Sequence, residues 1–196
     1  MYEIIGNPAT RAFRVLWALE ELGQPYKLHA DMPQSEKARA LNPTGKVPIL
    51  LEGEQTITDS VAIMTYLADK HGALSFAPGT LERAEQDSFT QQILDEVEAP
   101  LWSANRHTFV LPQELRVPAL KDTLIWEYNR GIHNVMSRRK GPYLMGERFT
   151  LPDILLTHCA AWARFISFDS DNTELVPYIK ITRARDAFQR LAPKKG

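Results

Sequence analysis

Short apolar runs bounded by turn residues fill the first part of the chain, and long stretches with helical spacing fill the rest. Tyr2 to Ile5 is a short run ending at Gly6-Asn7-Pro8, which predicts a strand followed by a turn. Val15, Leu19 and Leu22 then fall on one side of a helix that Gly23 stops. Tyr26 to Ala30 predicts a second strand, and Ser35 to Leu41 a short helix closed by Asn42-Pro43. Val47 to Leu51 and Gln55 to Ile57 flank Glu52-Gly53-Glu54 as the arms of a hairpin. A helix from Ser60 to about His71 ends at Gly72, so the order is βαβ, α, ββ, α.

Strand signals stop there. The stretch from Gly72 to Gly79 holds Pro78 and little periodicity, which makes it a linker between a domain of residues 1–76 and an all-helical domain of residues 80–196. The second part predicts a helix from Leu81 to about Asn105, bent near Pro100 because an internal proline loses a hydrogen bond and crowds the preceding turn. Gln113 to Arg139, Leu151 to about Phe168 and roughly Pro177 to Leu191 predict three more. An α/β unit of one βαβ-α-ββα pass followed by a helical bundle is a narrow architecture, since few folds change class so sharply.

Composition removes several functions. Lys and Arg number 23 against 24 Asp and Glu with no long run of one sign, so neither nucleic acid nor an anionic membrane is an expected partner. No stretch approaches the roughly 20 apolar residues that cross a bilayer. The start has no basic region followed by a long apolar one, and the single cysteine, Cys159, has no internal partner for a disulfide; both point to a cytoplasmic location. No Cys-x-x-Cys, metal-ligand cluster, Gly-rich phosphate loop or Ser-His-Asp arrangement indicates another chemistry, and no metal is expected.

Four segments occur in a specific order: Arg14-Val15-Leu16-Trp17-Ala18-Leu19-Glu20-Glu21-Leu22-Gly23, Asn42-Pro43-Thr44-Gly45-Lys46-Val47-Pro48, Asp59-Ser60 and Phe149-Thr150-Leu151-Pro152-Asp153-Ile154. Together they resemble the soluble, cytosolic-type glutathione transferase family, including its bacterial members, over essentially the whole chain. The resemblance implies a thioredoxin-like front domain that binds glutathione as co-substrate and a helical domain that shapes a pocket for a small electrophile. It also implies a homodimer, and a reaction that conjugates glutathione to an electrophilic carbon or reduces a peroxide with it.

Carried over position by position, the resemblance implies that the Val47–Pro48 bond is cis and presents the Val47 N–H and C=O to the cysteinyl unit, as an added strand would. It implies that Ser60 and the local backbone hold the γ-glutamyl carboxylate while Asp59 faces the ammonium, at a helix start that favours an anion. Lys46 is a candidate partner for the glycyl carboxylate or the backbone nearby. Each has a plainer reading: Pro48 as the first residue of an edge strand, Asp59 or Ser60 as a helix cap, Lys46 as a solvated charge. Thr150 and Asp153 resemble the family's internal capping box, which is structural.

The thiolate is the open question, because lowering a thiol pKa by about two units takes about 2.7 kcal/mol of preferential anion stabilisation. The turn before the first helix reads Asn7-Pro8-Ala9-Thr10-Arg11, and the position that carries serine or cysteine in several classes of the family falls on Ala9. Thr10, Asn7 and Arg11 are the remaining candidates, with Thr10 equally readable as a helix cap and Arg11 as an exposed stem. Tyr2 lies too early to serve. In the second part, Arg106 and His107 are candidates for positive potential near the sulfur, or for simple favourable charges at a helix C-terminus. Trp102, Phe109, Trp162 and Phe165 are candidate pocket aromatics, one or two expected in the pocket and the rest buried; Cys159 reads as packing. The alternative to an enzyme is a catalytically weak binding or interaction module of the same fold, which Ala9 permits.

Overall fold

The structure, a computed structural model, describes residues 1–192. Two compact units emerge, one of residues 1–83 joined by the segment from Ala184 onward, the other of residues 84–183.

In the first unit, β1 (Tyr2–Ile5), α1 (Ala12–Glu21) and β2 (Tyr26–His29) form a βαβ pass whose strands pair in parallel, Tyr2 with Tyr26 through Ile5 with His29. After α2 (Glu36–Leu41), β3 (Ile49–Glu52) and β4 (Gln55–Thr58) add antiparallel, giving the order β2-β1-β3-β4. Because side chains alternate across a strand, Ile5 and Ile49 share one face and pack there with Ala38 of α2, flanked by Leu41, Val47 and Leu51. Ile4 and Leu50 point to the other face, and both are fully buried. α3 (Ser60–His71) packs against α1 and ends on Gly72 in the left-handed conformation.

α1 is buried almost all round, a pattern one sheet face cannot produce. The remainder comes from the far end of the chain. The sequence predicts a single last helix from Pro177 to Leu191; instead α8 (Leu175–Arg183) stops, Arg185 is extended, and α9 (Asp186–Leu191) packs on α1 in the first unit. Phe188 lies 4.9 Å from Trp17 and 5.5 Å from Phe13, ring to ring. Arg185 makes two 2.7 Å bonds to Glu21, and Arg190 bonds Glu20 at 2.6 Å. This returning segment therefore does not belong with the helical unit, contrary to the division of the chain at residues 76–80: its aromatic and two arginines complete the surface that α1 leaves apolar on one turn and acidic on the next.

In the second unit, the helix predicted from Leu81 to Asn105 is α4 (Leu81–Gln92), a π-helical stretch Ile93–Glu98 and α5 (Ala99–Asn105) in one continuous path. The predicted distortion near Pro100 takes the form of that widened turn, in which the Ala99 N–H reaches back five residues to Leu94 O. Pro100 has no N–H for Glu96 O, and that carbonyl is where α6 (Lys121–Ser137) crosses: a Cβ on Gly131 would lie 2.2 Å from it. Only glycine fits at this contact. The predicted helix from Gln113 begins later, at Lys121, after two short 3₁₀ turns, since Pro118 suits a helix start and not an interior.

α7 (Leu151–Phe165) starts with the expected capping box. Asp153 is fully buried and each carboxylate oxygen accepts two bonds: Oδ1 from Leu144 N–H (2.9 Å) and Tyr178 O–H (2.8 Å), Oδ2 from Thr150 N–H (2.8 Å) and Thr150 Oγ1–H (3.0 Å). Burial raises the carboxyl above its ordinary range, and the four donors oppose that rise. A short loop, α7 and α8 are thus tied to one side chain.

Candidate functional site

The candidate residues of the first unit gather where β1, α1, α3 and the segment before β3 meet. Gly6 is the reason they can. Its φ is 149°, and a Cβ there would lie 2.7 Å from Ala12 Cβ and 3.3 Å from Val47 Cβ, so the start of α1 and the Val47–Pro48 segment close on the end of β1 only because the side chain is absent.

The Val47–Pro48 bond is cis. Pro48 is buried, while sheet pairing begins two residues after Val47, at Ile49. The preceding turn is held by its own polar groups: Asn42 Oδ1 accepts the Thr44 N–H and hydroxyl, and Asn42 Nδ2 donates to Lys46 O at 3.0 Å. The Lys46 side chain is left exposed.

At the start of α3, Asp59 has φ 74°, and its Oδ1 accepts from Val61 N–H (2.8 Å) and Ala62 N–H (3.1 Å). The capping role is therefore present, with Oδ2 of this exposed carboxylate left over among the described residues. Ser60 is the first helical residue and is buried; its Oγ accepts a 3.3 Å bond from Arg14 Nη1. Arg14 itself is 0% exposed.

The turn before α1 is bonded to itself. Asn7 Oδ1 accepts the Ala9 N–H at 2.8 Å, the Thr10 hydroxyl donates to Asn7 O at 2.7 Å, and Thr10 Oγ1 accepts the Ala12 N–H at 3.2 Å. Thr10, Phe13 and Arg14 N–H groups are also taken, by Asn7 O, Thr10 O and Arg11 O. A hydroxyl has one hydrogen, so Thr10 gives nothing to a ligand unless its bond to Asn7 O breaks; its geometry is that of a cap. Asn7 differs. With Oδ1 facing Ala9, its Nδ2 keeps both donors among the described residues, on a half-buried side chain. Arg11 is half-buried beside it in sequence. Tyr2, set aside from the sequence, is buried with its hydroxyl 2.9 Å from His71 Nε2.

In the second unit, Trp102 lies half-buried on α5, and Arg106, His107 and Phe109 lie on a π-helical turn, Arg106–Val110. Such turns occur often at functional positions. His107 Nδ1 accepts the Val117 N–H at 3.1 Å, which assigns the ring hydrogen of the neutral form to Nε2. Arg106 Nε is buried with no hydrogen-bond partner among the described residues. The expectation that the remaining aromatics are buried core is not met: Phe109 is 64% and Phe165 83% exposed, and Trp162 is half-buried. Both phenylalanines sit near helix ends, where helical spacing no longer decides which side faces the core. Cys159 is fully buried, its Sγ 3.9 Å from Glu98 Oε2.

Two residues of the first-unit site were not singled out from the sequence. In the sequence Gly6 marks only a turn. Arg14 carries a signal that was available: it is a lone charge inside the otherwise apolar stretch from Ala12 to Leu19. Among the described residues, no helix is long and apolar enough to cross a membrane, and no group of three or more His, Cys, Asp or Glu side chains is arranged to hold a metal ion.

Residues 11–76 match the family model described as glutathione S-transferase, N-terminal domain. The chain is 32% identical over 99 residues to a dichloromethane dehalogenase of Methylorubrum extorquens, covering 46% of this chain and 33% of that protein. It is 33% identical over 84 residues to glutathione S-transferase 3 of Schizosaccharomyces pombe, covering 41% of this chain and 34% of that one. The chain thus spans about a third of the length of these two curated relatives. Among solved structures, the theta-class glutathione S-transferase of Xanthomonas axonopodis pv. citri with glutathione bound is 26% identical, with a TM-score of 0.77 over 96% of this chain and 95% of that one. The matched segment contains α1, the Val47–Pro48 bond and the α3 start, so the local geometry of the first unit and its likeness to the glutathione S-transferase N-terminal domain coincide.

Proposed function

We propose that the protein is a glutathione transferase, conjugating glutathione to a small electrophile or reducing a peroxide with it. The observation that carries the reading is the likeness, over nearly all of both chains, to a family member solved with glutathione bound.

In this reading the tripeptide lies along Val47, whose N–H and C=O pair with the cysteinyl unit. The γ-glutamyl carboxylate sits at the start of α3 on the Ser60 hydroxyl and N–H, where the helix dipole favours an anion. Asp59 keeps Oδ1 as the helix cap and turns Oδ2 to the ammonium; Lys46 meets the glycyl carboxylate. Asn7 Nδ2 donates to the sulfur, and Arg11 adds positive potential, because the α1 N–H groups and the Thr10 hydroxyl are already engaged. Trp102, Arg106, His107 and Phe109 are the residues of the second unit that meet the electrophile. Rate acceleration then comes from positioning and from stabilising the thiolate, without a covalent bond to the protein. A homodimer in the cytoplasm, with residues 1–76 as the glutathione-binding domain, completes the proposal.

A second reading, a binding module with little turnover, is favoured by one observation: Ala9 has no hydroxyl and the neighbouring Thr10 hydroxyl donates to Asn7 O. Calorimetry with glutathione followed by turnover of an activated aromatic halide and a hydroperoxide separates the two. Binding with turnover supports the enzyme, binding without turnover across these substrates supports the module, and no binding removes both.

A further inference from the structure

Arg14 is among the largest side chains that are fully buried, and an arginine stays charged there. Taking that charge out of water is costly, so its partners and its effect on the surroundings matter. Its Nη1 donates to Ser60 Oγ at 3.3 Å. The sense of that bond is not adjustable, because a guanidinium has donors and no acceptor. The Ser60 oxygen is therefore engaged as an acceptor, and its hydrogen must point away from Arg14. At the mouth of α3 the Val61 and Ala62 N–H groups are already taken by Asp59, which leaves the Ser60 hydroxyl and N–H as the donors facing a ligand among the described residues.

We propose that Arg14 is a positioning residue for anion binding at the start of α3: it orients the Ser60 hydroxyl as a donor and places a guanidinium behind it. The inference rests on the reading of this helix start as the seat of the γ-glutamyl carboxylate. Arg14 touches the serine and not the ligand. Its charge acts through low-dielectric surroundings, where screening by water is weak. Glutathione binding at the amino-acid head then depends on a buried residue in the first turn of α1.

The test is a double-mutant cycle read by calorimetry with glutathione on the full chain: wild type, Ser60→Ala, Arg14→Gln and the pair. Each single change is expected to weaken binding about tenfold, the range of one hydrogen bond to a charged group. The pair should lose less than the two single losses combined, since the orienting bond is common to both variants. KM for glutathione should rise with kcat little changed, and an analogue lacking the γ-glutamyl α-carboxylate should bind all four proteins alike. Additive losses in the pair, or wild-type affinity in Arg14→Gln, overturn the proposal. Failure of the wild type to bind glutathione sinks the transferase reading instead. If Arg14→Gln does not fold, a crystal structure of the wild type with glutathione decides: Ser60 Oγ lying between Arg14 Nη1 and the carboxylate supports the proposal, and Arg14 contacting the carboxylate itself, or Ser60 turned from either, refutes it.

Discussion

Asp153→Asn is the sharpest stability test that the helical unit offers. The carboxylate accepts two donors on each oxygen, and each oxygen has one backbone N–H among them, Leu144 on Oδ1 and Thr150 on Oδ2. An asparagine has one acceptor oxygen. Whichever way the amide turns, its NH₂ faces one of those fixed N–H groups, while the hydroxyl beside it, Tyr178 or Thr150, can rotate. One buried donor is left unsatisfied, which costs about 1–3 kcal/mol, and the surviving bonds weaken from charge-assisted to neutral. Relief of the buried charge returns part of this, so the net loss is about 2–4 kcal/mol. For a chain of this size that lowers Tm by roughly 4–16 °C. Thermal denaturation followed by circular dichroism measures it, with Glu54→Gln on the exposed hairpin turn as control.

The pH dependence has a definite sign. The folded carboxyl is raised above its unfolded value, so the folded state holds more protons between the two, and wild-type stability falls as pH climbs through that window. Asparagine has no such slope, and the gap between wild type and variant should narrow with rising pH from the ordinary carboxylate range upward. A variant within about 2 °C of wild type at every pH, a shift of at most about 1 kcal/mol, would refute the reasoning from filled acceptor sites.

Gly131→Ala should lower stability by about 1–3 kcal/mol, measured by denaturant titration, because overpacking against Glu96 O outweighs the helix propensity gained; a neutral or stabilised variant counts against the close crossing. Asn7→Asp keeps the acceptor for Ala9 N–H and replaces the free amide by an anionic oxygen, so the pH profile of kcat/KM should shift to a higher thiol pKa; Thr10→Ala should instead cost about 1 kcal/mol of stability and leave that profile in place. Arg185→Ala should free α9 from α1, seen as faster amide exchange over Asp186–Leu191 and at the start of α8 no change. Tyr26, whose hydroxyl is pushed up to about 12 by burial and by Glu20, holds its proton in the folded state after the unfolded chain has lost it; stability should fall above the ordinary tyrosine range near pH 10, and Tyr26→Phe should flatten that fall.

The first unit was readable because each of its elements carries local punctuation. Gly23 and Gly72 stop helices, Ser35 caps α2 and accepts the Ala38 N–H, and Gly53-Glu54 closes the hairpin, so strand and helix limits follow from near neighbours in sequence. Val47, Pro48, Asp59 and Ser60, the residues proposed for glutathione, are legible because they sit in continuous motifs. The capping box at Thr150 and Asp153 is equally local, its two members three positions apart.

What only the tertiary structure decided depends on partners far apart in the chain. No spacing rule says that residues 184–191 return to α1, since that follows from Phe188 meeting Trp17 and from Arg185 and Arg190 meeting Glu21 and Glu20, the two ion pairs 164 and 170 positions apart in the chain. Nor does periodicity show that Pro100, the π-helical turn and Gly131 form one crossing, or that Asp153 also binds Tyr178. The same holds for the site: the sequence left Thr10 open as donor or cap, and hydrogen bonding gave its one hydrogen to Asn7 O; it passed over Arg14, which means something only once Ser60 is packed against it. Local chemistry along the chain names elements and motifs, while the use of each polar hydrogen is settled by what long-range packing places opposite it.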